Sequence, residues 1–360
     1  LGGSATYAAL AASKFLKPKI VGIVGSDFSK GNLKILEDSC ENLQDLQIRD
    51  GSTFRWGGKY SESGDERETL FTDLGVFENF TPHLSSLNKN PDYIFLANIS
   101  PDLQLNILSQ CENKPFVIVD TMNLWIDIAK NDLLDVIKKS DILLINESEL
   151  MQLSEKKNYA EAASDVLKWG PRTLIVKYGS KGAVCYSNEK SFSIGVIQDL
   201  VVKDPTGAGD SFGGGLVSAL AEGLSIEQAM IRGTAMASFC IENFGINAIL
   251  NVEKVDENFH SRFSAKLRSY KYRIVNRRSP LTIDRNRAWA VYKKLNIKKI
   301  IDESSSFIGK HNLAAFRSIN CQSKVTTKTI ESINVNYENN ELNIYICAKS
   351  FLHSQVRIMV

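Results

Sequence analysis

The chain is poor in the residues that staple or anchor a protein. Its six cysteines stand singly, at positions 40, 111, 185, 240, 321 and 347, with no Cys-x-x-Cys. That argues against a disulfide framework or a zinc ribbon and leads us to expect reduced thiols in the cytoplasm. Only four histidines occur, at 83, 260, 311 and 353, and none has metal-ligand spacing to another. No apolar run approaches the roughly 20 residues that cross a bilayer, so no membrane partner is expected. The rest is ordinary: 360 residues, 43% hydrophobic and 23% charged, are enough for two globular domains. The first residue is Leu1 and the last, Val360, falls inside an apolar run, so both ends are expected to be cut.

The formal charge of +2 conceals an asymmetry. From Asn251 onward there are 20 Lys and Arg against 9 Asp and Glu, a net of +11; the residues before it carry 23 against 32, a net of −9. An acidic first part and a basic second part rarely share one partner. The basic part suits a polyanion such as RNA; the plainer alternative is a solvated basic surface.

The hydrophobic pattern changes at the same place. Up to about residue 248, continuous apolar runs (Ile20–Val24, Tyr93–Leu96, Phe116–Val119, Ile142–Ile145, Leu174–Val176) alternate with helical patterns such as Leu103–Cys111 and Leu133–Lys138. Such runs mark strands buried on both faces, and their alternation with helices predicts βαβ units around a parallel sheet. Two polar-aromatic strands, Thr53–Tyr60 and Glu68–Leu74, interrupt this scheme. After Gly245–Leu250 the pattern becomes period two, in Ser269–Val275, Ser332–Tyr337 and Leu342–Ile346, with an amphipathic helix expected over Leu295–Ile308. Period two predicts an antiparallel sheet with one exposed face.

The most informative stretch is Asp204-Pro-Thr-Gly-Ala-Gly-Asp210-Ser-Phe-Gly-Gly-Gly215. A β-branched run, Leu200–Val202, leads in, and a small-residue helical run, Phe212–Ala221, leads out. Glycines let backbone amides crowd around an anion, and a helix start directs its positive end there. Asp210 then stands in the first turn, placed to take a proton from a hydroxyl that attacks a phosphoryl group. Alone, the stretch is equally a Gly-rich turn capped by an aspartate.

Taken whole, it resembles the C-terminal signature of ribokinase-like, PfkB-type carbohydrate and nucleoside kinases. Gly2-Gly3-Ser4-Ala5 resembles that family's sugar-binding Gly-Gly, Asn146-Glu-Ser-Glu149 its Asn-x-x-Glu, and Lys177-Tyr-Gly179-Ser180-Lys-Gly182 its nucleotide loop, all in the family's order. The resemblance implies a three-layer α/β/α sheet over residues 1–248, with 53–74 as a small lid over the substrate. It implies ATP and magnesium, with a monovalent cation and a homodimer as further expectations. Asp210 would be the base, and Gly207, Ala208 and Gly209 would form the anion hole, with the amides of Ala208, Gly209 and Asp210 binding the charge. Asn146 and Glu149 would order magnesium through water. Lys177, Gly179, Ser180 and Gly182 would bind the nucleotide. Gly2, Gly3 and Tyr7 would bind the sugar or nucleoside, Tyr7 standing where many members carry Asn. The family's opening strand would precede Leu1, and its closing helix pairs are replaced by different sequence.

That sequence, residues 249–360, resembles the tRNA pseudouridine synthases that act on the anticodon arm. The resemblance rests on Asn258-Phe-His-Ser-Arg262-Phe-Ser-Ala-Lys266, Tyr270-Lys-Tyr272, Phe316-Arg317-Ser318, Cys321-Gln-Ser323 and the ending Phe351–Val360. It implies an α+β antiparallel-sheet fragment that contacts tRNA. Tyr270 would stack on the target uridine, Arg357 would pair with the catalytic aspartate, and Arg262 and Arg317 would hold RNA. That family's Arg-Thr-Asp motif, which supplies the nucleophile, is absent upstream. Phosphotransfer to a sugar or nucleoside is therefore the leading expectation. An RNA-binding fragment without catalysis and an inert chimera of two truncated genes are the alternatives.

Overall fold

The computed structural model describes residues 1–60, 67–188, 191–197, 200, 202–252, 268–278, 288–318, 325–352 and 354–360. The chain divides into two compact units, Leu1–Glu257 and Asn258–Val360.

The first unit opens with α1 (Ser4–Ala12), β1 (Gly22–Gly25), α2 (Lys30–Ser39) and β2 (Leu46–Arg49). The hairpin β3 (Arg55–Tyr60) and β4 (Arg67–Asp73) follows, then β5 (Tyr93–Leu96), α3 (Pro101–Gln110), β6 (Phe116–Asp120), α4 (Asn123–Ile128) and α5 (Lys130–Lys139). Next come β7 (Ile142–Asn146), α6 (Glu147–Ser154), α7 (Tyr159–Lys168), β8 (Thr173–Lys177), β9 (Ala183–Ser187) and β10 (Ser191–Ile194). The helices α8 (Ala208–Ala221), α9 (Ile226–Ile241) and α10 (Asn247–Leu250) close it.

A six-stranded sheet in the order β10-β9-β8-β7-β6-β5 forms the centre, with β5 to β8 parallel and the last two strands antiparallel. Alternate residues of its buried strands face opposite ways. Val117, Val119, Leu143, Ile145, Leu174 and Val176 pack against α5, α6 and α7, through Leu133, Leu150 and Val166 among others. Ile118, Ile142, Leu144 and Ile175 pack against Phe212, Leu216 and Ala219 of α8 and Met230 of α9. This is the expected three-layer α/β/α arrangement, and it explains why the interiors of these strands are apolar at successive positions.

The small-residue run of α8 has a packing reason. A Cβ at Gly213 would fall 2.3 Å from the Phe95 ring, at Gly214 2.2 Å from the Ala8 carbonyl oxygen, and at Gly215 3.0 Å from the Arg232 carbonyl oxygen. Glycine at three successive positions thus seats α8 against β5, α1 and α9. The hairpin β3–β4 stands as its own two-stranded sheet. One expectation is corrected. The Ile20–Val24 strand is Gly22–Gly25, which among the described residues pairs with β2 in a separate two-stranded sheet, its first amide donating to the Asp45 carbonyl. Leu200 and Val202 lie in no strand; the backbone just after them is held by α9, whose Ile241 carbonyl accepts from the amides of Lys203 and Asp204.

The second unit contains β11 (Arg268–Val275), β12 (Trp289–Ala290), α11 (Ile297–Ser304), β13 (Gly309–Asn312), β14 (Thr327–Glu338), β15 (Glu341–Ala348) and α12 (Gln355–Met359). Its sheet, in the order β12-β11-β15-β14-β13, is antiparallel except for β11–β12. Leu342, Ile344, Ile346 and Ala348 alternate into its core, as period two predicts. Asn339 and Asn340 turn the β14–β15 hairpin with φ of 51° and 64°, the left-handed pair that a two-residue loop requires. Helix α11 is shorter than expected because the hydroxyls of Ser304, Ser305 and Ser306 each bond to the carbonyl three residues back, competing with the helical ladder. Across β11 and β15, Arg273 grips Glu341 with two bonds, of 3.0 and 2.7 Å.

Gly214→Ala should destabilise the first unit by about 1–3 kcal/mol or more in urea melts, since the new methyl meets backbone that cannot step aside. In the second unit, hydrogen bonds from Arg273 above all hold the Glu341 carboxyl down to about 2. The sign follows: its stabilisation is fully present above the ordinary carboxylate range and is lost as pH falls toward 2. Melts of the parent and of Glu341→Gln should therefore differ at pH 6 and converge near pH 2.

Candidate active site

Three neighbouring parallel strands end in polar side chains: β6 at Asp120, β7 at Asn146 and β8 at Lys177. In an open α/β sheet the carboxyl ends of strands are where a ligand finds a crevice. Asp120 and Lys177 meet there. Lys177 Nζ lies 2.8 Å from Asp120 Oδ1, and the side chains are 20% and 6% exposed. Burial works to lower the Lys177 pKa, but the charges of Asp120, Glu149 and Asp210 and the bond that the ammonium donates to Asp120 outweigh it, and the pKa is held above its ordinary value.

The first turn of α8 reaches the same place. A Cβ on Gly209 would sit 3.3 Å from Lys177 Nζ and 3.9 Å from Asp120 Oδ2. Gly207 precedes the helix in the left-handed region, φ 79°, where a Cβ would also strike the Tyr7 ring at 2.4 Å. As the helix begins, the Ser211 amide donates to the Gly207 carbonyl at 2.8 Å. The Ala208 amide donates to the Pro205 carbonyl at 3.2 Å, which differs from its expected place in the anion hole. Asp204 shapes the loop, accepting from the amides of Thr206 at 2.9 Å and Gly245 at 3.4 Å. Asp210 is half-buried.

Asn146 and Glu149 form a reciprocal cap on α6. The Glu149 amide donates to Asn146 Oδ1 and the Asn146 amide to Glu149 Oε2, each at 2.8 Å. Ser148 also donates to Asn146 Oδ1. Glu149 is 5% exposed, close enough to bias Lys177. Among the described residues no three His, Cys, Asp or Glu side chains gather as metal ligands. The charges of Asp120, Glu149 and Asp210 all act on the Lys177 ammonium, so oxygen donors and negative charge are at hand for a hard cation such as magnesium.

The remaining expected residues divide. Gly179 and Gly182 bracket a tight turn, φ 54° and 95°, with Ser180 exposed on it. A Cβ on Gly182 would strike the Ile194 carbonyl oxygen at 2.1 Å. Gly2 and Gly3 open onto free space, Gly3 with φ 94° ahead of α1. Tyr7, expected to touch substrate, is 4% exposed in a cluster with Leu10, Met236 and Ile249; its ring supports Gly207 instead, because α1 packs that face on α8 and α9. Asp120 was not singled out from the sequence. Its signal was there, a lone acid closing the apolar run Phe116–Val119 at a carboxyl end. In the second unit, Tyr270 is half exposed and stacks edge-on against Phe351 at 5.2 Å. Arg317 and Arg357 are exposed, and Arg262 lies outside the described residues.

Residues 1–252 match the pfkB family carbohydrate kinases. The chain belongs to that family. Among solved structures, this PfkB-family chain is similar to a nucleoside kinase of Methanocaldococcus jannaschii described as an archaeal member of the ribokinase family. The two are 26% identical at a TM-score of 0.59, over 70% of this chain and 83% of the other. A ribokinase of Arabidopsis thaliana, solved with ribose and ATP, shares the fold at 22% identity and a TM-score of 0.57, over 70% and 85% of the two chains. Residues 304–360 match the tRNA pseudouridine synthase family. Over 113 residues, 31% of this chain, the sequence is 52% identical to tRNA pseudouridine synthase A of Ehrlichia chaffeensis. The match spans 46% of that protein, so the chain covers less than half the length of such relatives. No described helix is long and apolar enough to cross a membrane.

The reciprocal cap yields a stability test. Asn146→Ala should cost about 0.5–2 kcal/mol in denaturant melts, and Asn146→Ser, which keeps a capping oxygen, a few tenths.

Proposed function

We propose that residues 1–248 transfer the γ-phosphoryl group of ATP to a hydroxyl of a sugar or nucleoside. One observation carries this reading: the first turn of α8, bearing Gly209 and Asp210, meets the Lys177–Asp120 pair at the carboxyl ends of the strands. The substrate hydroxyl gives its proton to the Asp210 carboxylate as its oxygen attacks the γ-phosphorus. The bond from that phosphorus to the β,γ-bridging oxygen breaks, and ADP leaves with the electron pair. Charge that builds on the phosphoryl oxygens is met by the amides of Gly209 and Asp210 and by the positive end of α8. Glu149 and Asn146 would hold a magnesium ion, which when bound would neutralise charge on the phosphates. It answers a plain electrostatic need, since a triphosphate alone would add negative charge to a site of three carboxylates. Gly179 and Gly182 let the nucleotide approach the backbone, and Gly2 and Gly3 leave room for the acceptor.

Residues 249–360 favour a second role for that part. Their 46–52% identity to several tRNA pseudouridine synthases A, with the net charge of +11, supports contact with tRNA through Arg262, Tyr270, Arg317 and Arg357. Without the Arg-Thr-Asp aspartate the fragment holds RNA and does not isomerise uridine.

Asp210→Asn should lower phosphoryl transfer about 10²–10⁴-fold and leave MgATP affinity near the parent's. Near-parental turnover in a coupled ADP assay would remove Asp210 from the role of base. For the second part, tRNA binding should weaken steeply as salt rises, and a tritium-release assay should detect no pseudouridine; release above background would contradict the reading.

A further inference from the structure

We propose that Lys177 is a catalytic residue, its ammonium contacting the oxygens of the phosphoryl group in flight, and that Asp120 is the positioning residue that aims it. The inference rests on the phosphotransfer reading above and deepens it.

Lys177 ends β8 after the apolar run Leu174–Val176, where an apolar residue would serve the core as well. A buried ion pair is weak evidence for stability, because desolvation offsets most of its attraction and a well-packed apolar pair is often as stable. A Lys–Asp pair at the carboxyl edge of the central strands therefore calls for another reason. Its placement supplies one. The ammonium lies beside Gly209, so close that the smallest side chain there would come within 3.3 Å of Nζ. It shares its space with the first-turn amides of α8, the group of donors that faces a developing phosphoryl charge.

The pair is also built to hold one geometry. Asp120 is 4% exposed at the end of β6, and Gln104 fixes the backbone there, donating from Nε2 to the carbonyls of Ala97 at 3.0 Å and Asp120 at 3.2 Å. An ammonium has three donors; the bond to Asp120 Oδ1 uses one of them. With Glu149 and Asp210 also within electrostatic reach, the lysine stays protonated despite burial. Lys177 acts as a point charge on the transferring group, and no proton leaves it.

The test uses the full chain with two probes, MgADP and the magnesium complex of the non-hydrolysable triphosphate AMPPNP, by calorimetry. Lys177→Met alone would strand the Asp120 charge, so the main variant is the double substitution Lys177→Met with Asp120→Asn, which removes both charges. It should lose about 10- to 100-fold in affinity for the triphosphate, the worth of a bond to a charged group, and under about threefold for the diphosphate. Lys177→Arg should recover most of the loss. In the double variant an unchanged ratio of triphosphate to diphosphate affinity overturns the inference and leaves the phosphotransfer reading standing. Equal loss of both ligands with a lowered melting temperature makes the pair a structural strut, and also overturns it. If the parent binds neither nucleotide, the phosphotransfer reading itself fails, and this inference with it.

Discussion

The close seating of α8 is the constraint on which the first unit depends. A helix can aim its first turn at the ends of β6, β7 and β8 only if its body lies nearly in contact with the sheet and its neighbours. Gly213, Gly214 and Gly215 make that approach, each meeting a different partner: the Phe95 ring, the backbone of α1 and the backbone of α9. Gly207 does the same ahead of the helix, against Tyr7. The glycines of the motif thus do two jobs. Gly207, at φ 79°, takes a turn that side chains rarely adopt and sits against Tyr7, and those after the helix start fix where the helix lies.

Charge is distributed around this frame with one cation at the centre. Lys177 stands among Asp120, Glu149 and Asp210, and their combined field holds it protonated in a place where burial alone would not. Two of the acids also have structural work, Glu149 in the cap of α6 and Asp120 in the ion pair. Asp210 is the acid in the first turn of α8 itself, and the proposed proton transfer rests on that placement.

The sequence was legible where one strong physical rule acted alone. Continuous apolar runs marked β5 to β8, period two marked β11, β14 and β15, and the glycine-rich stretch marked the start of α8. It misled where two rules compete. The amphipathic pattern through Ile308 continues past the point where three serine hydroxyls end the helix. The resemblance makes Tyr7 a substrate contact, at a position where many members carry Asn, whereas in α1 it is buried with its ring against Gly207. Asp120 went unread because a single acid after a strand has no partner in the sequence; Lys177 is 57 residues away. Ala208 shows the limit of motif reasoning at atomic scale, since its amide turns to Pro205.

Amide hydrogen exchange with and without MgATP tests the central claim most directly. The account predicts that the nucleotide slows exchange in residues 207–211 and 177–182 and leaves β11, β14 and β15 unchanged. Protection confined to the second unit, or none in the first turn of α8 at saturating MgATP, would contradict it.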